Sequence, residues 1–102
     1  MPLVKLEVLA KAVGDYFMRY HGLAVDRDLP PRFWEKHVGV IAQTFFRLCY
    51  ATRLNLAPGR HYVVYGNSCG KGYWDSIIKV NGRIIARGKV TASRFLKAEF
   101  TV

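Results

Sequence analysis

Glycine, cysteine and lysine crowd into YGNSCGKGYW, residues 65–74, and more than one chemistry could draw on them. A phosphate-cradling loop needs G-x-x-x-x-G-K-[ST] between a strand and a helix, so that backbone amides and the helix dipole meet the phosphate. Here only three residues separate Gly66 from Gly70, and Gly72 follows Lys71 where a hydroxyl is required. What comes next reads as strand. A reactive thiol at Cys69 would need a lowered pKa and a base, and Lys71 and His61 are the groups available. An exposed loop lacks the rigid, partly buried surroundings and oxyanion donor such chemistry uses. The stretch reads best as a hairpin bend, NSCGKG, whose glycines supply backbone conformations other residues avoid, with Lys71 at the tip to meet an anion.

Other chemistry is sparse. Asp26 and Asp28 read as loop and N-cap residues, not as a catalytic carboxylate pair. His21, His37 and His61 are scattered, and two cysteines at 49 and 69 match no zinc pattern, so neither a metal nor a cofactor is expected. Charge is the strongest compositional signal, with 16 Lys and Arg against 7 Asp and Glu, a net +9. From Gly59 onward eight basic residues face only Asp75 and Glu99, a net +6, which leaves +3 for the first 58 residues. Such an excess points to polyanions or to acidic protein surfaces as partners. No apolar run approaches the ~18 residues of a membrane span, and Lys5, Glu7 and Lys11 interrupt the N-terminal apolar residues. A cytoplasmic protein with no membrane partner is the expectation.

The elements that must position these groups are read from periodicity. Leu6, Leu9, Ala10, Val13, Tyr16, Phe17 and Tyr20 share one face of a helical wheel, with Glu7, Lys11, Asp15 and Arg19 opposite, which predicts a helix over 3–21. Pro30-Pro31 would start a second helix over 31–54, with Trp34, Val38, Ile41, Phe45, Leu48, Cys49 and Thr52 as its apolar stripe and Cys49 as a packed core thiol. After Pro58-Gly59 the runs 61–65, 73–80, 83–91 and 96–102 are β-branched and aromatic, which predicts strands. Asn81-Gly82 between apolar runs is a strong hairpin signal. The expected fold is a single α+β domain, with two N-terminal helices packed on a four-stranded antiparallel meander.

That hairpin carries the candidate site. A two-residue turn pairs Val80 with Arg83, Ile78 with Ile85, Ser76 with Arg87 and Trp74 with Lys89, all on one face. Seated outward, this face combines Trp74, Arg83, Arg87 and Lys89 around an Ile78–Ile85 centre, with Lys71 nearby. Arginine and lysine could track phosphates while the indole stacks on a base. The same charges could simply keep the sheet soluble, their stems lying over apolar neighbours. Ile78, Val80 and Ile85 could instead form an apolar contact, and a symmetric homodimer is expected. The segment NGRIIARGKVTA, residues 81–92, resembles strands near the end of hotdog-fold thioesterases. Those domains open with a strand, and nothing here matches their catalytic carboxylate near the start of the second helix. The leading expectation is a non-enzymatic nucleic-acid-binding protein. The alternative is a small inhibitor of the viral or phage type that binds a host protein complex; a hotdog-like or cysteine-dependent enzyme comes third.

Overall fold

The computed structural model describes residues 2–14, 20–33, 40–41, 47–68 and 72–102. Among these the chain forms no α-helix but eight strands: β1 (Leu3–Val13), β2 (Tyr20–Val25), β3 (Val40–Ile41), β4 (Arg47–Asn55), β5 (Arg60–Ser68), β6 (Tyr73–Val80), β7 (Arg83–Val90) and β8 (Leu96–Thr101). The α+β expectation is overturned. The predicted helix 3–21 is β1 and the start of β2, and the predicted helix 31–54 yields β3 and β4; residues 15–19, 34–39 and 42–46 lie outside the described residues.

The charged residues of β1 explain why it is a strand. On a helix Lys5 and Glu7 would stand about 160° apart, whereas a strand puts them on one face with Lys11. The opposite set, Val4, Leu6, Val8 and Ala10, is then uniformly apolar, and all four are buried. In β4 the same period separates Arg47, Cys49, Ala51, Arg53 and Asn55, all exposed, from Leu48, Tyr50, Thr52 and Leu54. Cys49 is therefore an exposed thiol and not a core one. Apolar residues in both segments also fit a helical period, so only the polar positions distinguish the two structures.

The strands do not form one meander. They form two antiparallel sheets, ordered β4-β1-β6-β7 (sheet A) and β3-β2-β5-β8 (sheet B). Successive strands alternate between sheets except at the β2–β3 and β6–β7 connections. The lateral order is the same in both: β4 and β3, then β1 and β2, then β6 and β5, then β7 and β8. This is the connectivity of four long antiparallel runs folded across their middle. The core fills the fold, where Val4, Leu6 and Val8 of β1, Ile78 and Val80 of β6 and Val90 of β7 meet Val63 and Tyr65 of β5 and Ala98 and Phe100 of β8. Each such aliphatic side chain, fully buried, contributes about 1.5–3 kcal/mol.

The outer face of sheet B is covered. Gly22 and Gly66 are cross-strand partners, and their missing side chains leave a flat seat for aromatic rings. Phe33 and Leu29, carried back by the 26–33 segment, lie over this seat beside Phe95, with Ala24 and Val64 completing a second apolar cluster. Phe33 is fully buried. A Cβ on Gly66 would stand 2.8 Å from two Phe95 ring carbons and 3.1 Å from Phe33 Cε1. Gly66→Ala is thus expected to destabilise the fold by about 1–3 kcal/mol through overpacking, read as a lower urea midpoint. An unchanged midpoint would mean that the rings are not held against this glycine pair.

Candidate nucleic-acid interface

Cross-strand partners share a face, so the pairing registers lay out the outer surface of sheet A row by row. One row runs Arg47–Lys11–Asp75–Lys89, the next Cys49–Leu9–Ile77–Arg87, and the next Ala51–Glu7–Lys79–Ile84, with Arg53–Lys5 beyond. Seven cations stand against two carboxylates, which is five of the chain's nine excess positive charges on one face. Arg47, Arg53, Lys11, Arg87 and Lys89 are exposed. Lys5 reaches Glu7 at 3.7 Å, and Lys89 Nζ lies 4.7 Å from the centre of the Tyr73 ring. The middle of the face is less polar. Leu9 and Ile77 are half-buried and line, with Arg47, Lys11, Arg87 and Asp75, a shallow cleft of about 540 Å³. Basic side chains on the outer strands β4 and β7 flank it, about 14 Å apart at the usual strand spacing.

The hairpin turn forms as its sequence predicts, with positive φ at Asn81 (50°) and Gly82 (82°), and Val80 pairs with Arg83. The register then slips at Ile78/Lys79, so that Ile78 faces Ala86, Ser76 faces Gly88 and Trp74 faces Val90. A β-bulge inserts one residue, and one residue reverses the face of everything beyond it. The expected register of Trp74 with Lys89, Ser76 with Arg87 and Ile78 with Ile85 is therefore incorrect. Arg87 and Lys89 point outward, opposite Ile77 and Asp75, while Trp74 and Ile78 are fully buried and Val80 is nearly so. Ile85 packs half-buried against the core.

Of the expected site residues, the structure thus brings together Arg87 and Lys89. Arg83, paired with Val80 at the hairpin end, lines a separate cleft with Ile85 and Glu99. Lys71 lies outside the described residues. Lys5, Lys11, Arg47, Arg53 and Lys79 join the face unforeseen. Four of these five sit in segments read as helix, and the signal that would have found them is the even spacing of the charges, which is the period of a strand. No family model, curated protein or solved structure matches the chain. Among the described residues the chain is a β-sandwich with one outer face covered by apolar side chains and the other basic and uncovered.

The described histidines have structural surroundings. His61 Nδ1 lies 2.6 Å from Asp26 Oδ2 and its Nε2 lies 2.7 Å from the Ala57 carbonyl oxygen. Both partners are acceptors, so the ring donates to both only as the imidazolium. The bond to Asp26, then that to Ala57, holds its pKa above the ordinary value. Asp26 is held low by His61 and by the Tyr62 amide, which donates to Oδ1 at 3.1 Å. Neither His61 nitrogen is left to act as a base. Ser68, the residue before Cys69, stands at the far end of the same strand, about 23 Å away. His21 is buried between the Tyr50 and Tyr65 rings, at 4.9 and 5.8 Å, and burial lowers its pKa to about 4.

The two histidines predict stability that falls on both sides of about pH 6.5, the ordinary value. Below it the unfolded chain protonates His21 while the folded one does not until about pH 4, a loss on the order of 3 kcal/mol. The stability from His61 is complete below about pH 6.5 and is lost as pH rises through its raised folded value. Denaturant titrations across pH check both limbs. His21→Phe should flatten the acid limb and His61→Gln the alkaline one. A wild-type acid limb unchanged in His21→Phe would contradict the assignment.

Proposed function

We propose that the outer face of sheet A binds nucleic acid through its phosphates. The observation that supports this most strongly is the collection of seven basic side chains on one sheet face that no described residue covers, while the other sheet's outer face is covered by Leu29, Phe33 and Phe95. Basic residues on β4 and β7, joined by Lys5, Lys11 and Lys79 between them, form two tracks for a sugar–phosphate backbone. Asp75 and Glu7 lie within the field and temper it. Leu9 and Ile77 give the floor between the tracks an apolar surface for sugars or unstacked bases. Trp74, closed inside the fold, has no part in this contact. Among the described residues no element projects from the sheet to enter a groove and read base edges, and the contact proposed is with phosphates, dominated by counterion release.

Each phosphate contact adds roughly 0.7–0.9 to the steepness of log K against log salt, so about five contacts give a slope near −4. Fluorescence anisotropy with labelled single- and double-stranded oligonucleotides measures it. Arg87→Ala should flatten the slope by just under one unit whatever the sequence. Trp74→Ala should act on folding, with a loss of about 3–5 kcal/mol, and leave the slope of the folded fraction unchanged. Binding no tighter than ~100 μM at physiological salt would end this reading and transfer the face to an acidic protein partner.

A further inference from the structure

We infer that β4 is the self-association edge of the protein, pairing antiparallel with β4 of a second copy about a two-fold axis at Ala51. Among the described residues β4 has a strand, β1, on one side only. Its backbone directions follow from one hydrogen bond. The Leu56 amide donates to the Pro2 carbonyl at 3.0 Å, in line with the β1–β4 register. Because adjacent residues of an antiparallel strand turn their N–H and C=O groups to opposite sides, Leu48, Tyr50, Thr52 and Leu54 bond toward β1. Arg47, Cys49, Ala51, Arg53 and Asn55 aim theirs at the open edge. An edge of this length is a template for another strand.

The sequence of β4 selects a second copy of itself. Ala51 is the midpoint of Arg47–Asn55, so a two-fold axis there uses the whole strand. It sets Leu48 against the partner's Leu54, Tyr50 against the partner's Thr52, Cys49 against the partner's Arg53 and Arg47 against the partner's Asn55. All the outward-aimed amides and carbonyls are matched, giving about ten hydrogen bonds. Moving the axis to Tyr50 would put Arg47 opposite the partner's Arg53, a like-charge pair that opposes association. The interior side supports the same partner. Leu48, Tyr50 and Leu54 are only half-buried, whereas Val4, Leu6 and Val8 on neighbouring β1 are 0–1% exposed. Leucine meeting leucine at both ends of the new seam covers what sheet B leaves open. This contact replaces the one expected from Ile78, Val80 and Ile85, which belong to the fold's own core.

Pairing of this kind joins two sheets A into one eight-stranded sheet with both basic faces on the same side. Like charges on the two copies repel, so rising salt strengthens the dimer, opposite in sign to the salt effect on nucleic-acid binding. The contact itself does not rest on the proposed function.

Sedimentation equilibrium of the full chain, without nucleic acid and at high micromolar concentration, should give twice 11.6 kDa. A mass of 11.6 kDa at every salt concentration overturns the inference and leaves the edge free or closed by a different chain. Ala51→Pro removes a donor that points away from β1, a position where an edge strand tolerates proline. It should give the monomer mass with an unchanged far-UV spectrum; a dimer as tight as wild type overturns the inference. Should that variant fail to fold, Arg53→Cys decides. Hydrogen-bonded partners lie about 5.5 Å apart at Cα, within disulfide range. Mild oxidation should then give a covalent dimer that disappears when Cys49→Ser is added. No cross-link, or one that survives Cys49→Ser, overturns the register. Oligonucleotide binding by the monomeric variant separately tests the basic face, so the two readings fail independently.

Discussion

The alternation of β1 is the constraint on which the rest of the structure depends. As an inner strand of sheet A it bonds to β4 on one side and β6 on the other, and its two faces have different work. Val4, Leu6 and Val8 form the middle of the core and Ala10 packs with Trp74, while Lys5, Glu7, Leu9 and Lys11 lie between the basic side chains of β4 and those of β6 and β7. A slip of one residue would bury three charges and expose four apolar side chains, so the register is strongly specified. Core and candidate interface are opposite sides of one strand.

The two outer faces show how a sandwich with little chain to spare divides its surfaces. On sheet B, glycine at 22 and 66 lowers the surface enough for Phe33 and Phe95 to lie against it, and the loop from β2 closes over. Sheet A has no such seat. Its outward positions are occupied mostly by long charged side chains whose stems shield Leu9 and Ile77 while their heads stay in water. The asymmetry in charge follows from the asymmetry in packing, since a covered face has no room for solvated cations. Asp26 and His61 tie the start of the covering segment to the beginning of β5, and so hold the fold together at the end opposite His21.

Part of this was legible from residues alone. Asn81-Gly82 demanded positive φ at both positions and obtained it, and the runs at 61–65, 73–80, 83–91 and 96–102 became β5 to β8 with small changes at their ends. The hairpin put Arg87 and Lys89 on one face, and they share the outer face of sheet A, although their partners are Ile77 and Asp75 and not Ser76 and Trp74. What failed has identifiable causes. Residues 3–21 and 31–54 carry enough apolar side chains to satisfy a helical stripe and an alternating one together, and the decision lay in Lys5, Glu7 and Lys11, which only the strand reading unites. The bulge near Ile78 has no comparable signature in a run of similar β-formers, yet it inverted the expected environment of Trp74 relative to Arg87 and Lys89. The split of the strands into two sheets depends on long-range pairing of β1 with β6 and of β2 with β5, which no local pattern encodes.

The central claim is that β1, β4, β6 and β7 present one functional surface, and lysine footprinting tests it at the level of single side chains. The folded protein would be labelled with an amine-reactive reagent, with and without a saturating single-stranded oligonucleotide, and each lysine's modification read by mass spectrometry. Lys5, Lys11, Lys79 and Lys89 lie on the face, and Lys97 lies on the opposite sheet over the Tyr62 ring. The account predicts that the oligonucleotide protects the first four and leaves Lys97 as reactive as before. Equal protection of all five, or protection of Lys97 alone, would contradict it.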